Sequence, residues 1–117
     1  MGATYVEATV QSPNGQEAHL RFLVDSGATY SLLPNTVWKQ LGLEPKRRVT
    51  NILRDGTTLD RDVSECCFFT PHGSAHSPVF LGEVGDEAII GKVTFETLGL
   101  VFNPFNQTLT PMRMLLA

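Results

Sequence analysis

The feature that most constrains this chain is a two-residue alternation of apolar and polar side chains, broken at short intervals by turn residues. Successive side chains of a strand point to opposite faces, whereas a helix repeats every 3.6 residues, so the pattern builds sheets rather than bundles. Tyr5-Val6-Glu7-Ala8-Thr9-Val10 reads as a strand, Ser12-Pro13-Asn14-Gly15 as a turn, and residues 17–24 as the returning strand. Asn-Gly between two alternating runs is a strong hairpin signal. Tyr30-Ser31-Leu32-Leu33 reads as a short strand. Residues 49–53 and 58–63 flank Arg54-Asp55-Gly56-Thr57, a second hairpin tip. Residues 65–70 and 77–81 flank an expected loop, Pro71-His72-Gly73-Ser74-Ala75-His76. Ala88-Ile89-Ile90 reads as a short buried strand, Val101-Phe102 as extended chain before an Asn103-Pro104 turn, and residues 106–110 as a last strand.

Two short stretches depart from alternation. Residues 34–41 read as a helix, with Pro34 suited to a first helical position and Gly42 to its end. Val37, Trp38 and Leu41 fall on one face, which is expected to pack inward. Residues 92–98 read as a second helix ended by Gly99. Hairpin, apolar strand, tight turn and short helix thus occur once in each half, and both helices end in the same words, Leu41-Gly42-Leu43 and Leu98-Gly99-Leu100. This suggests a pseudo-two-fold within one domain, residues 1–117.

At 117 residues the chain suits one domain, burying roughly two-thirds of its unfolded surface. It is 42% hydrophobic and 18% charged, which speaks against disorder. The net charge is −3, and Lys46-Arg47-Arg48 is the basic cluster, without aromatic interleaving. A solvated strand end is expected there, and nucleic acid is not an expected partner. Cys66 and Cys67 are adjacent, so they point to opposite faces of a strand and imply no disulfide framework. A reducing, cytoplasmic setting fits. No apolar run approaches the length of a membrane span, and no membrane partner is expected. The first residues lack the basic and apolar regions of a signal peptide, and Val6 stands where a myristoylation signal wants Ser or Thr.

The residues that carry chemistry are Asp25-Ser26-Gly27-Ala28, directly after the apolar run Leu20-Arg21-Phe22-Leu23-Val24. A strand that drives an aspartate into a Ser-Gly turn holds a carboxylate rigidly. Taken alone, such a tetrapeptide is a turn capped by its own side chain. His72 and His76, with Cys66 and Cys67 upstream, lack the spacing of a zinc site, so no metal and no cofactor are expected. His19 sits on an alternating strand with no role, and Trp38 and the phenylalanines read as core.

Phe22-Leu23-Val24-Asp25-Ser26-Gly27-Ala28, followed much later by Ile89-Ile90-Gly91 and a short helix, resembles the retroviral-type (retropepsin-like) aspartic proteases. These are the single-domain, homodimeric branch of the aspartic peptidases. The Leu-Gly-Leu helix endings, Val101-Phe102-Asn103-Pro104 and a terminal strand look like the small prokaryotic members of that clan. The chain departs from the viral pattern in its polar hairpin tip, in Ser26 where threonine is commoner, and in Lys92 after Gly91.

The resemblance implies an all-β, closed barrel-like acid-protease fold with one or two short helices, assembled as a homodimer. It implies an endopeptidase that hydrolyses peptide bonds of peptides or proteins. One ionised carboxylate takes a proton from the attacking water while a protonated one polarises the carbonyl, and two carboxylates at close range share a proton. One Asp-Ser-Gly per chain supplies one carboxylate, so the other is Asp25 of a second copy. Catalytic roles fall on Asp25, on Ser26, whose hydroxyl braces the neighbouring turn, and on Gly27, whose N–H approaches the carboxylate. Substrate-binding roles fall on Ala28, Leu32, Leu53, Asp55, Gly56, Ile89 and Ile90, with the hairpin of residues 49–63 as a flap and a preference for apolar residues around the scissile bond. Ala28 lacks the hydroxyl that pepsin-like members place here against the charged carboxylate, which implies an activity optimum in mild rather than strong acid. Residues 1–10 and 107–116 are the expected intermolecular strands. Two alternatives stand beside this reading. One is a catalytically weak retropepsin-like dimerisation or peptide-binding module; the other is a metal- or redox-responsive domain using Cys66, Cys67, His72 and His76.

Overall fold

A computed structural model describes residues 3–116 of the chain. Two hairpins open the fold. Strands β1 (Tyr5–Gln11) and β2 (Glu17–Val24) pair antiparallel along their whole length, from Tyr5 opposite Leu23 to Gln11 opposite Glu17. Strands β4 (Arg47–Ile52) and β5 (Thr58–Thr70) pair from Arg47 opposite Val63 to Ile52 opposite Thr58. Both hairpins close by the same device. The Gly15 amide donates to Ser12 O and the Ser12 amide to Gln16 O, both at 2.9 Å; Gly56 to Leu53 O and Leu53 to Thr57 O repeat this at 2.9 and 2.8 Å. Such three-residue loops need a left-handed third residue, and Gly15 (φ 89°) and Gly56 (φ 87°) supply it.

After β2 the chain turns at Asp25 and returns as β3 (Ser31–Leu33), then forms helix α1 (Asn35–Gln40). The helix stops in a Schellman geometry, with Leu43 N to Trp38 O at 3.1 Å and Gly42 N to Lys39 O at 3.0 Å, Gly42 being at φ 70°. Leu41 and Leu43 are buried, Val37 and Trp38 half-buried, so the expected face does pack inward. Helix α2 (Lys92–Thr97) ends similarly, with Gly99 at φ 76° and Leu100 buried.

Strand β6 (Gly73–Leu81) pairs with β5 from Val63 opposite Phe80 to Thr70 opposite Gly73. The expected six-residue loop therefore shrinks to Pro71-His72. Ser74, Ala75 and His76 carry no alternation of their own; pairing with Phe69, Phe68 and Cys67 recruits them into the sheet. Thr70 Oγ1 completes the turn, accepting from His72 N at 3.1 Å and donating to Gly73 O at 3.0 Å. His76 is consequently a strand residue apart from His72. The Cys66 thiol is buried, which pushes its pKa up to about 12, and Cys67 is half-buried.

The two-residue strand β7 (Ile89–Ile90) slots between β2 and β3, parallel to the first and antiparallel to the second. The sheet order is β1-β2-β7-β3-β6-β5-β4, and β1 also pairs with β5 through Thr9–Phe69 to Gln11–Cys67. Strand β1 thus pairs along its whole length on one edge and at Thr9, Val10 and Gln11 on the other. Strands β8 (Leu100–Asn103) and β9 (Thr108–Pro111) form a separate two-stranded sheet. Among the described residues, no helix is long and apolar enough to cross a membrane.

Phe22, Phe68, Val10, Leu33, Leu41 and Val79 are fully buried and form the centre of the core. Beside them lies a buried hydroxyl chain. Ser31 Oγ is 2.5 Å from Thr94 Oγ1, which is 2.7 Å from Ser77 Oγ, and Ser31 Oγ accepts from Gly91 N at 2.9 Å. It ties β3, α2 and β6 together. Thr94→Val keeps the shape and deprives both serines of a partner, so it is expected to destabilise the fold by about 2 kcal/mol. Urea unfolding checks this; an unchanged midpoint would show the hydroxyls contribute nothing.

Candidate active site

Asp25 is held from every side of its backbone. Strand β2 reaches it through Val24, whose amide donates to Thr4 O at 2.8 Å, and the Asp25 amide donates to Ile90 O at 3.1 Å. The chain then reverses, with Ala28 N donating to Asp25 O at 3.1 Å. Gly27 N donates to the carboxylate itself, at 2.9 Å from Oδ1. Oδ2 has no protein hydrogen bond among the described residues. One carboxylate oxygen is therefore anchored and the other open, on a residue that is half-buried. The turn beyond it is presented outward, since Ser26 and Gly27 are exposed.

The Ile-Ile-Gly segment is what locks this turn. Lys92 N donates to Ala28 O at 2.8 Å and Val93 N to Thr29 O at 2.9 Å, so the first amides of α2 hold the loop's carbonyls. Gly91 lies so close beneath that a Cβ there would sit 2.7 Å from the carbonyl of Tyr30 and 2.9 Å from Ala28 O. Its extended backbone (φ −104°) tolerates any residue; the close approach is what requires glycine.

A cleft of about 530 Å³ opens beside the turn, lined on one side by Gly27, Ala28, Leu32 and Ile89 and on the other by Arg47, Val49, Asn51 and Ile52 of β4. Tyr30 and Phe80 form its end wall, with rings 5.3 Å apart. Of the residues singled out from sequence, Gly27, Ala28, Leu32 and Ile89 meet in this cleft; Asp25 is not part of its lining and is tied to it through the Gly27 amide. Ile90 does not meet them: it points the other way from Ile89 and is 1% exposed in the core. Leu53, Asp55 and Gly56 sit at the exposed hairpin tip, past Ile52 and outside the cleft lining. Ser26 lines a smaller cavity of about 150 Å³ with Lys92, Phe95, Leu100, Phe102 and Met112. Sequence reasoning missed Thr29, Tyr30, Arg47, Val49, Thr50, Asn51, Ile52 and Phe80 as lining residues. The alternation of β4, which turns residues 47, 49 and 51 to one face, is the signal that could have found three of them.

The hairpin tip is ordered by its own side chains. Asp55 Oδ1 accepts from Thr57 Oγ1 at 2.6 Å and from Thr57 N at 2.9 Å. These bonds, the hydroxyl's first, hold the Asp55 carboxyl below the usual carboxylate range. A depressed folded pKa means the bonds favour the ordered tip above the ordinary carboxylate pKa and are lost as pH falls through the depressed value. Thr57→Val is expected to raise the Asp55 midpoint toward that of a free aspartate in an NMR titration. A midpoint that stays low would mean the backbone amide alone holds it.

Comparison with known proteins agrees with this geometry. The sequence pattern of a family described as aspartyl protease matches residues 6–67. The fold is similar to the solution structure of the simian foamy virus (mac) protease, with a TM-score of 0.55 and 18% identity over 75% of this chain and 87% of that one. It is also similar to the crystal structure of the prototype foamy virus protease-reverse transcriptase, with a TM-score of 0.53 and 13% identity. That match covers 97% of this chain but 12% of the viral one. No curated protein matches the chain. With its family pattern spanning the Asp25 turn and its fold shared with the foamy virus proteases, the chain belongs to the aspartyl protease family and has a retropepsin-like fold.

Proposed function

We propose that the protein is an aspartic endopeptidase that works as a homodimer, its Asp25 and that of a second copy activating one water between them. The observation that carries this is the Asp25 carboxylate, pinned through Oδ1 by the N–H of Gly27, a residue that lines a cleft together with residues of β4, and without a hydrogen bond at Oδ2 among the described residues. A carboxylate fixed in place and partly shielded from water is what general acid–base catalysis needs. The ring of pairings β1-β2-β7-β3-β6-β5-β1 serves as the closed barrel of this reading, and the β4–β5 hairpin as its flap.

The second copy is supported by what the surface exposes. Ser26 and Gly27 are exposed, and Val101 (46%), Phe105 (97%), Leu115 (87%) and Leu116 (101%) present large apolar side chains to solvent. Apolar groups of this size gain from burial against a partner, and a closed two-fold is the commonest way to achieve it. Removing residues 112–117 is expected to weaken dimerisation at least ten-fold in sedimentation equilibrium; an unchanged association constant would place the interface elsewhere. The free thiols of Cys66 and Cys67 support a reducing, cytoplasmic setting.

The function is tested by cleavage of a mixed peptide library from pH 4 to 7 across protein concentrations. Cleavage that peaks in mild acid and rises in specific activity with concentration is the expected result. A dimer that binds peptides and cuts none of them would instead make the protein a retropepsin-like binding module.

A further inference from the structure

We infer that Arg47 selects a peptide residue bearing a carboxylate in the cleft, and that Tyr30 is the positioning residue that aims it; this deepens the peptidase reading and rests on it. The alternation of β4 divides the chain's basic cluster. Lys46 Nζ lies 3.5 Å from Glu65 Oε1, and Arg48 reaches Asp62 Oδ1 at 3.1 Å and Asp60 Oδ2 at 3.9 Å. Arg47, between them, turns to the cleft side and forms no ion pair among the described residues. Its Nη2 donates to Tyr30 Oη at 2.6 Å, and its guanidinium carbon stands 5.5 Å from the centre of the Tyr30 ring. The Tyr30 ring is in turn backed by Phe80.

A guanidinium has five N–H donors, and this one has committed a single one to a neutral hydroxyl. The clamp fixes the fork without neutralising it. In a chain of net charge −3, with carboxylates on the adjacent strand taken by Arg48, an arginine left unpaired on a cleft wall is set out for an acceptor brought by a ligand. The rest of the lining is mostly apolar, with Leu32, Ile89 and Val49 nearby, and a bound peptide would displace water from around the guanidinium. Both effects strengthen a charge-assisted, bidentate hydrogen bond to Asp or Glu relative to the same pair on open surface. The ligand class is therefore an extended peptide with an apolar residue over Leu32 and Ile89 and an acidic one within reach of Arg47.

The test separates recognition from catalysis. Ten-residue fluorescent peptides with a central Leu-Phe pair carry Glu or Gln at each flanking position in turn. Their binding to the full chain bearing Asp25→Asn is measured by anisotropy at low salt, and their cleavage by the wild type is measured in parallel. At one position Glu should bind about ten-fold tighter than Gln, with the advantage shrinking as salt rises. Adding Arg47→Gln should erase that difference, weakening the Glu peptide about ten-fold more than the Gln peptide; Tyr30→Phe should reduce it, and Arg47→Lys should restore part of it. No Glu preference at any position, a preference that survives Arg47→Gln, or no binding of any peptide would overturn the inference. Peptides that are bound with the Glu preference and never cut would overturn the catalytic reading alone. Peptides that are cut without regard to Glu or Gln would overturn the role of Arg47 alone.

Discussion

Asp25→Asn is expected to lower peptide cleavage at least about 1,000-fold while the protein remains folded. Asparagine keeps an oxygen where Asp25 Oδ1 accepts the Gly27 amide, so the turn should survive the change. What it loses is the capacity to take a proton from water. The thermal midpoint, at fixed protein concentration, should therefore change little, or rise if the Asp25 carboxylates of two chains face each other, since the variant pair carries neither charge and loses their repulsion. Mixing makes the test sharper. If each active site needs Asp25 from two chains, an equal mixture of wild type and variant, allowed to exchange subunits, retains about a quarter of the activity, because a quarter of the pairs carry both aspartates. If each chain acts alone, half remains. Residual activity near the wild-type level in pure Asp25→Asn would exclude Asp25 as the catalytic group altogether.

Gly91→Ala is expected to be strongly destabilising. The new Cβ would stand 2.7 Å from backbone atoms of Tyr30 and 2.9 Å from Ala28 O, where no flexible side chain can yield. Relief requires moving the Asp25–Tyr30 loop away from α2, which breaks the bonds from Lys92 N and Val93 N to Ala28 O and Thr29 O. Overpacking against backbone of this kind costs about 3 kcal/mol. In a domain of this size that lowers the thermal midpoint by roughly 10–20 °C. Gly27→Ala is the control. There the nearest atom is Asp25 Oδ1, at 3.2 Å, and it belongs to a side chain that can shift. That variant should fold nearly as well as the wild type and lose activity instead, because it moves the carboxylate. Equal stability of the two variants would show that the loop and α2 are less tightly coupled than their contacts indicate.

The elements read most faithfully from the sequence were those whose information is local. Strand β2 begins and ends where alternation places it, and both hairpin loops follow from Asn14-Gly15 and Asp55-Gly56 because a left-handed residue is needed at one place in each. The helix endings at Gly42 and Gly99 belong to the same class. The Pro71–His76 stretch was misjudged for the opposite reason. Gly73-Ser74-Ala75-His76 has the composition of a loop, and it becomes strand because β5 offers it a ladder of partners.

The site divides along the same line. That Asp25 is delivered by a strand into a Ser-Gly turn, and that Gly91 follows an apolar pair, are facts of sequence, and they were enough to suggest the chemistry. That Gly91 lies against the Asp25 turn is decided by β7 entering the sheet between β2 and β3, a pairing of segments far apart in the chain. The same insertion settles which of two adjacent isoleucines meets the cleft: Ile89 lines it, and Ile90 goes to the core. Period two says only that the two differ, never which side is inside. Arg47 makes the point for charge, since three consecutive basic residues look alike in sequence. Only the folded sheet gives Lys46 and Arg48 their carboxylates and leaves Arg47 against Tyr30 on the cleft wall. Backbone preference and turn chemistry act over a few residues and can be read from them. The lining of a cleft is a property of which distant strands become neighbours, and only tertiary structure fixes that.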